Sequence, residues 1–506
     1  DGPRACDLVV RRVRRGGEQG RDGGPGGKPA GREGGRARHK DRPRYATSKE
    51  RQAGGKRRRK DGALTFAAPG RPAHADGGMG LKEDMEALAL HAKDASRKLS
   101  GLPAEARNRA LLAMADALPK RTDELLAANA RDLDTGRSLG LSAAMLDRLA
   151  LNDARIAAMA EGLRQAAALP DPLGRVLDER VRPNGLRLRK VAVPIGVIVI
   201  IYESRPNVTA DAAGLCLESG NATILRGGRE ARHSNQLIAA IMVAAARAAV
   251  PEFPEHAIQV VPTPDREAIP ALLSLVGLVA LCIPRGGEGL IRAVAECSRV
   301  PVIKHYKGVC HVFVDRAADP AMAEEIVFNA KCQRPSTCNA AETLLVDWPV
   351  ATELLPRVAA RLWTKHVEIR ADTPARTVLA MKSRPPEGKL VAAQPADWET
   401  EHNDYILNVK VVDGLADAVA HINRHGSGHS DAIVTADEAA ARRFLAEVDS
   451  AAVYWNASTR FTDGFEYGMG AEIGISTDKI GARGPMGLDE LCSYKWIGEG
   501  TGQVRS

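Results

Sequence analysis

The fold is decided by residues 196–226, GVIVIIYESRPNVTADAAGLCLESGNATILR. An unbroken apolar run at 196–202 is followed by a helix-like segment at 207–218 and a short apolar run at 222–226. A strand that is apolar on every residue has no wet face, so it belongs inside a sheet covered on both sides, which is where parallel sheets lie. Strand, helix and strand in sequence make the βαβ unit that builds such sheets.

The same alternation runs on downstream. Helices are expected at 233–249, 265–276 and 289–297, and strands at 257–261 and 278–283. A second α/β unit follows, with strands at 309–314, 344–346, 406–412, 432–435 and 452–456 and helices at 320–331, 350–365, 415–424 and 436–448. Upstream, residues 81–169 place Leu, Ala and Met at three- and four-residue spacings and predict two or three amphipathic helices. Residues 178–193 alternate Leu186, Leu188 and Val191 with Arg187, Arg189 and Lys190 around Pro183-Asn184-Gly185, a hairpin with one wet face. The class is α/β, with two lobes and a small hairpin that is a candidate for subunit pairing.

The chain has 506 residues and a net charge of +8, but the charge is unevenly placed. Residues 1–78 hold 21 Lys+Arg against 9 Asp+Glu, leaving 50 against 54 for the rest. The body is therefore mildly acidic. The basic Arg/Gly-rich extension has too few apolar residues to offset its ordering entropy and is expected to be disordered. It reads as sequence upstream of a start near Met79 or Met85; an Arg/Gly-type RNA-binding tail is the rival, and its charge is not interleaved with aromatics. No secretory signal is expected, and the apolar run at 191–202 is too short to cross a bilayer. The 8 cysteines are scattered without a Cys-x-x-Cys, which suggests a reducing, cytoplasmic setting.

The chemistry centres on residues 329–343, NAKCQRPSTCNAAET, a bend between a helix and a buried strand. Cys338 stands in it with Arg334, Pro335 and a Ser-Thr pair ahead, and is the candidate nucleophile, expected to be favoured as thiolate by a nearby cation or helix start. Cys216, Cys282 and Cys297 sit in apolar patterns and read as core. Two strand ends open onto glycine pairs, at Arg226-Gly227-Gly228-Arg229 and Arg285-Gly286-Gly287, where backbone can approach a phosphate. Neither is a strict G-x-G-x-x-G; tight packing turns are the alternative, and the arginines favour an anionic ligand. Residues 421–435, HINRHGSGHSDAIVT, crowd three histidines at a turn, to bind substrate, orient the thiol or simply end a helix. A zinc site from His305, Cys310, His311 and Cys332 lacks ligand spacing, and no metal is expected.

QRPSTCNAAET, IPRGG, GVCHVFVD and HINRHGSGHSDAIVT together resemble the gamma-glutamyl phosphate reductases, or glutamate-5-semialdehyde dehydrogenases, of the aldehyde dehydrogenase superfamily. The likeness runs from about Met79 to the C-terminus. It implies two Rossmann-like α/β domains and a β-hairpin oligomerisation element: an NADP-binding domain at 79–178 and 194–303, the hairpin at 179–193 with 485–506, and a catalytic domain at 304–484. It implies NADPH-dependent reduction of L-glutamyl 5-phosphate to L-glutamate 5-semialdehyde and phosphate through a Cys338 thioester, a step of proline biosynthesis. A homo-oligomer and an association with glutamate 5-kinase are further expectations.

The likeness also carries residue roles. The superfamily's water-activating Glu falls in KHYKG, residues 304–308, which has no carboxylate, as suits an enzyme that must not hydrolyse its acyl group. At YESRP, Ser204 or Arg205 stands where the oxyanion amide is expected, with the Cys338 N–H. The adenosine-ribose Lys falls on Arg226, and the acidic residue after it on Arg229 or Glu230; Arg229 there would favour a 2′-phosphate. Glu401 matches the Glu that holds the nicotinamide ribose. Arg334, Asn339 and His429 are the remaining candidate substrate ligands. A CoA-acylating or non-phosphorylating aldehyde dehydrogenase is the rival chemistry.

Overall fold

The computed structural model describes residues 80–505; the expectation for residues 1–78 lies outside them. Sixteen strands are numbered here in chain order. β3 (Val197–Tyr202), β4 (Ala222–Arg226), β5 (Ile258–Val260) and β6 (Leu281–Arg285) follow the hairpin strands β1 (Val176–Val181) and β2 (Arg187–Pro194). β3 lies between β4 and β6, and the parallel sheet runs β5-β4-β3-β6 with Ile200 opposite both Leu225 and Ile283. All six β3 residues are buried, as an all-apolar strand requires.

The helical entry layer has five helices, not two or three: Leu81–Leu99, Ala104–Lys120, Thr122–Ser138, Ala143–Leu149 and Asp153–Ala168. Apolar spacing runs through their junctions, so periodicity alone merges them. The breaks come from local hydrogen bonding, such as the Asn152 side chain accepting from Arg155 N–H at 2.8 Å and opening the fifth helix. Ala104–Lys120 packs against Asp153–Ala168 and against Arg232–Ala249, giving one core with Leu111, Met114, Leu163, Val199 and Ile238.

A second, seven-stranded parallel sheet uses β7 (Cys310–Val314), β8 (Ala341–Asp347), β9 (Glu368–Ala371), β10 (Leu390–Ala392), β11 (Ile406–Val412), β12 (Ser430–Val434) and β13 (Ala452–Trp455), in the order β10-β9-β11-β8-β7-β12-β13. Alternate residues feed opposite faces: Val312, Leu344 and Val434 one core, Phe313, Leu345 and Ile433 the other. β9 and β10 escape sequence reading because they are short and mixed in polarity. Residues 304–308 form no strand and lead into β7.

β14 (Ile475–Ser476) and β15 (Gly484–Pro485) make a small ladder, and β16 (Cys492–Glu499) joins the hairpin as a third strand, with Tyr494 opposite Ala192 and Trp496 opposite Lys190. Among the described residues no helix is long and apolar enough to cross a membrane.

Candidate active site

The bend after the helix Pro320–Cys332 is built from local hydrogen bonds. Asp319 caps that helix, accepting from Met322 N–H at 2.7 Å, and Pro320 supplies a pre-set first turn. Beyond Gln333, Thr337 Oγ1 donates to Arg334 O (2.9 Å) and Ala340 N–H to Thr337 O (2.9 Å). Asn339 is buried with its amide fully engaged: Nδ2 donates to Thr462 O (2.9 Å) and Arg460 O (3.3 Å), and Oδ1 accepts from Thr337 Oγ1 and the Arg460 guanidinium. It thus brackets the bend and has no spare donor for a substrate.

Cys338, partly exposed, sits at the amino ends of β7, β8 and β12. Gly308 packs so tightly beneath it that a Cβ at 308 would overlap the Cys338 carbonyl. The Cys310 thiol donates to that carbonyl at 3.2 Å. One ring nitrogen each of His305 and His429 and the Cys338 Sγ lie within 4.8 Å of one another. His305 is fixed by Ile475 O, 2.8 Å from Nδ1; His429 is fully buried, with Nδ1 2.8 Å from Ser430 Oγ. Burial lowers both histidines, His429 to about 3, so both rings are neutral.

The expected thiolate is not what the empty site favours. Burial first, then the Glu401 and Glu472 carboxylates, push the Cys338 thiol up to about 12, against a smaller opposing pull from Arg285. Arg334, the cation foreseen beside it in sequence, is exposed. Glu401 accepts from the Gly308 N–H and is itself raised by burial. Glu472 accepts from Gly464 N–H at 3.0 Å, and burial lifts it to about 7. A fully buried pair, Lys331 Nζ to Glu342 Oε2 at 2.8 Å, ties the helix before Cys338 to β8. The other Glu342 oxygen takes the Asn403 N–H at 3.2 Å, anchoring the loop that carries Glu401.

Guanidinium groups converge from the other side. Arg205 is held below its ordinary value by burial and then by Arg148, Arg285 and Arg334. None of these four arginines has an ion-pair partner among the described residues, although the half-buried Glu472 and Asp211 carboxyls lie within electrostatic reach of Arg285, and the group is suited to an anion. Ser204, at φ 30°, is buried, with its Oγ donating to Glu230 Oε1 at 2.6 Å and its N–H at 3.1 Å to the same oxygen. Its hydroxyl is therefore committed to Glu230, which leaves Arg205 as the free donor of that turn.

A small cleft opens at the end of β4, lined among others by Arg226, Gly227, Gly228, Arg229, Arg232 and Asn235. A Cβ on Gly227 would run into Asn235, so only glycine leaves the turn this close to the helix. Arg226 donates to Gly227 O (2.7 Å) and Pro264 O (3.0 Å), while its buried Nε has no partner. Arg229 is exposed at the rim, while the Glu230 carboxyl, bonded to Ser204, packs against Gly228 and, with Asp265, lies within electrostatic reach of Arg226. At the end of β6 the Gly287 N–H is already taken by Glu203 Oε2 (3.1 Å), and Gly286 packs against that carboxyl. Glu203 thus holds that glycine pair in this structure, and Arg285 reaches Cys338 electrostatically.

Sequence reading missed Glu472, Arg460, Arg148 and the Lys331–Glu342 pair, and weighed His305 only as a zinc ligand with Cys310, His311 and Cys332. All lie far from Cys338 in the chain or on the polar side of a pattern read for its apolar half. KHYKG was searched for a carboxylate, and its histidine was weighed as a zinc ligand but not as a neighbour of Cys338.

The family model described as "Aldehyde dehydrogenase family" matches residues 74–380. A gamma-glutamyl phosphate reductase of Opitutus terrae is 56% identical over 420 residues, 83% of this chain and 97% of that protein. Another, of Moorella thermoacetica, is 53% identical over 427 residues, 84% of this chain and 100% of that protein. The crystal structure of gamma-glutamyl phosphate reductase from Thermotoga maritima superposes with a TM-score of 0.80 at 42% identity, covering 83% of this chain and 100% of that one.

Proposed function

The chain belongs to the aldehyde dehydrogenase family, and we propose that within it this protein is a gamma-glutamyl phosphate reductase, reducing L-glutamyl 5-phosphate to L-glutamate 5-semialdehyde with release of phosphate. This is the second step of proline biosynthesis from glutamate. One observation carries the reading from the site itself: Arg285, which acts on the Cys338 thiol, belongs to a group with Arg148, Arg205 and Arg334 that has no ion-pair partner among the described residues, and residues 304–308 hold no carboxylate to activate water. A doubly anionic acyl phosphate fits such a field, and an acyl group can survive on the thiol.

The chain's own residues supply the following chemistry. Arg205 and Arg334, with Arg148 and Arg285, take the phosphate and carboxylate of the substrate. Cys338 Sγ attacks the acyl carbon while its proton passes to the neutral His305 Nε2, and the C–O bond to phosphate breaks to leave a thioester. The Cys338 N–H and Arg205 stabilise the oxyanion as it forms. NADPH, when bound, supplies the hydride that reduces the thioester carbon. Collapse of the resulting thiohemiacetal breaks the C–S bond, releases the aldehyde and returns the proton from His305 to sulfur.

The Arg226–Gly228 turn fits a dinucleotide by its glycine-only approach and the unpartnered buried Arg226 Nε. Arg226 and Arg229 would hold the adenosine end, Arg229 favouring NADP, and Glu401 the nicotinamide ribose. His429 backs the thiol and does not face bulk substrate. The three-stranded sheet leaves Val181, Tyr494 and Trp496 exposed, which supports pairing with a second copy of the chain. The cytoplasm, alongside the kinase that makes the labile acyl phosphate, is the proposed setting.

The reverse reaction tests the reading. With glutamate semialdehyde and NADP+, NADPH should form only when phosphate or arsenate is present. Formation supported by coenzyme A and not by phosphate would favour the CoA-acylating rival.

A further inference from the structure

We propose that Cys338, His305 and His429 together bind one thiophilic divalent cation of the zinc class. Their three ligand atoms lie within 4.8 Å of one another. In a tetrahedral zinc site, bonds of 2.0–2.3 Å separate ligand atoms by roughly 3.3–3.7 Å, so rotations that close about 1 Å complete the geometry.

Hydrogen bonding decides which nitrogen each ring offers. His305 Nδ1 faces the Ile475 carbonyl oxygen at 2.8 Å, and a carbonyl only accepts, so Nδ1 carries the hydrogen and Nε2 the lone pair. His429 Nδ1 lies 2.8 Å from Ser430 Oγ, whose own hydrogen goes to Thr462 Oγ1 at 2.7 Å. That ring too is protonated at Nδ1, and its Nε2 is buried with no partner. An unpartnered buried lone pair is costly to maintain, and a cation would satisfy it. Metal-ligating histidines are usually oriented by just such hydrogen bonds from the other ring nitrogen, and here both are in place beforehand.

Two neutral imidazoles and one thiolate are zinc-type donors, and three protein ligands leave a fourth position for water. On binding, the Cys338 S–H bond breaks, its proton leaves to solvent and the sulfur electron pair goes to the cation; nothing is oxidised or reduced. The neighbouring Cys310 is not the ligand, because its thiol is turned to Cys338 O and it meets His429 on the Nδ1 side, at 3.8 Å. A cation held here occupies the sulfur that would attack the acyl phosphate and reversibly closes the site. Binding does not depend on the catalytic reading, but inhibition does.

The test uses untagged, full-length protein stripped with chelator. Calorimetry with Zn2+ in two buffers should give one equivalent released by Cys338→Ser, with one proton liberated per cation. Co2+ should give a sulfur-to-metal charge-transfer band that is lost in Cys338→Ser. His305→Asn should weaken Zn2+ binding by more than the roughly 10–100-fold typical of losing an outer partner. A wild-type Co2+ spectrum without that band, or Cys338→Ser binding Zn2+ as tightly as wild type, would overturn the site; neither depends on a histidine variant folding. A band with full activity at saturating Zn2+ would leave the cation site standing and instead overturn the assignment of Cys338 as nucleophile.

Discussion

Gly308 lies directly under Cys338: a side-chain carbon at residue 308 would overlap the Cys338 carbonyl carbon and oxygen. The backbone of the reactive residue thus rests on a surface only glycine can provide. Gly308→Ala must push the bend outward, and a displacement near 1 Å costs about 100-fold in rate. The variant should fold, with a stability loss of about 1–3 kcal/mol from overpacking, and lose kcat far more than it raises KM. Steady-state kinetics beside thermal unfolding check this; unchanged kcat would show that the bend tolerates the shift.

The thiol should be sluggish towards alkylation in the free enzyme. With Cys338 pushed up to about 12, iodoacetamide labelling should be slow at neutral pH and climb steadily as pH rises. Glu401→Gln removes a charge that raises the thiol and should speed labelling at fixed pH, whereas Arg285→Ala should slow it. A labelling plateau reached near pH 7 would contradict this electrostatic picture.

Glu218 makes stability pH-dependent far from the chemistry. It is fully buried, neither carboxyl oxygen has a partner, and burial lifts it from 4.5 to about 8, only partly offset by Arg107. Between those values the folded state holds a proton that the unfolded state has lost. Stability from this group therefore falls as pH rises, by a few kcal/mol across the window. Wild type should lose unfolding temperature from pH 5 to pH 9 more steeply than Glu218→Gln; parallel curves would contradict the assignment.

Much of this arrangement was legible in the chain, and what was not has a common cause. β3 announced itself because six successive apolar residues admit no wet face, and the Pro183-Asn184-Gly185 turn between alternating residues marked the hairpin. The third strand of that sheet comes from residues 492–499, in a stretch that reads only as partly extended and that the family likeness, not local pattern, ties to the hairpin. Cys338 was found from its immediate neighbours. His305, Glu472 and the Glu342–Asn403 bracket are near it only through the fold. Sequence also favoured a thiolate from the presence of Arg334, but burial and two carboxylates outweigh cations in the folded site.

Cofactor choice should hinge on Arg229. In the proposed cofactor cleft at the end of β4, Arg229 is the exposed cation, while the Glu230 side chain is bonded to Ser204. Arg229→Glu should lower kcat/KM for NADPH at least about tenfold while sparing NADH, in keeping with the loss of one charge-assisted contact. Parallel kinetics with the two cofactors check it; an unchanged preference would remove Arg229 from the cofactor site.

The covalent role of Cys338 is the claim on which the rest depends. Wild type given glutamate semialdehyde and NADP+ without phosphate should accumulate a glutamyl thioester, seen by mass spectrometry on the peptide that carries Cys338 and discharged when phosphate is added. Cys338→Ser should show no adduct and lose activity by about a thousandfold or more. Full activity in Cys338→Ser, or an adduct on another cysteine, would contradict the account.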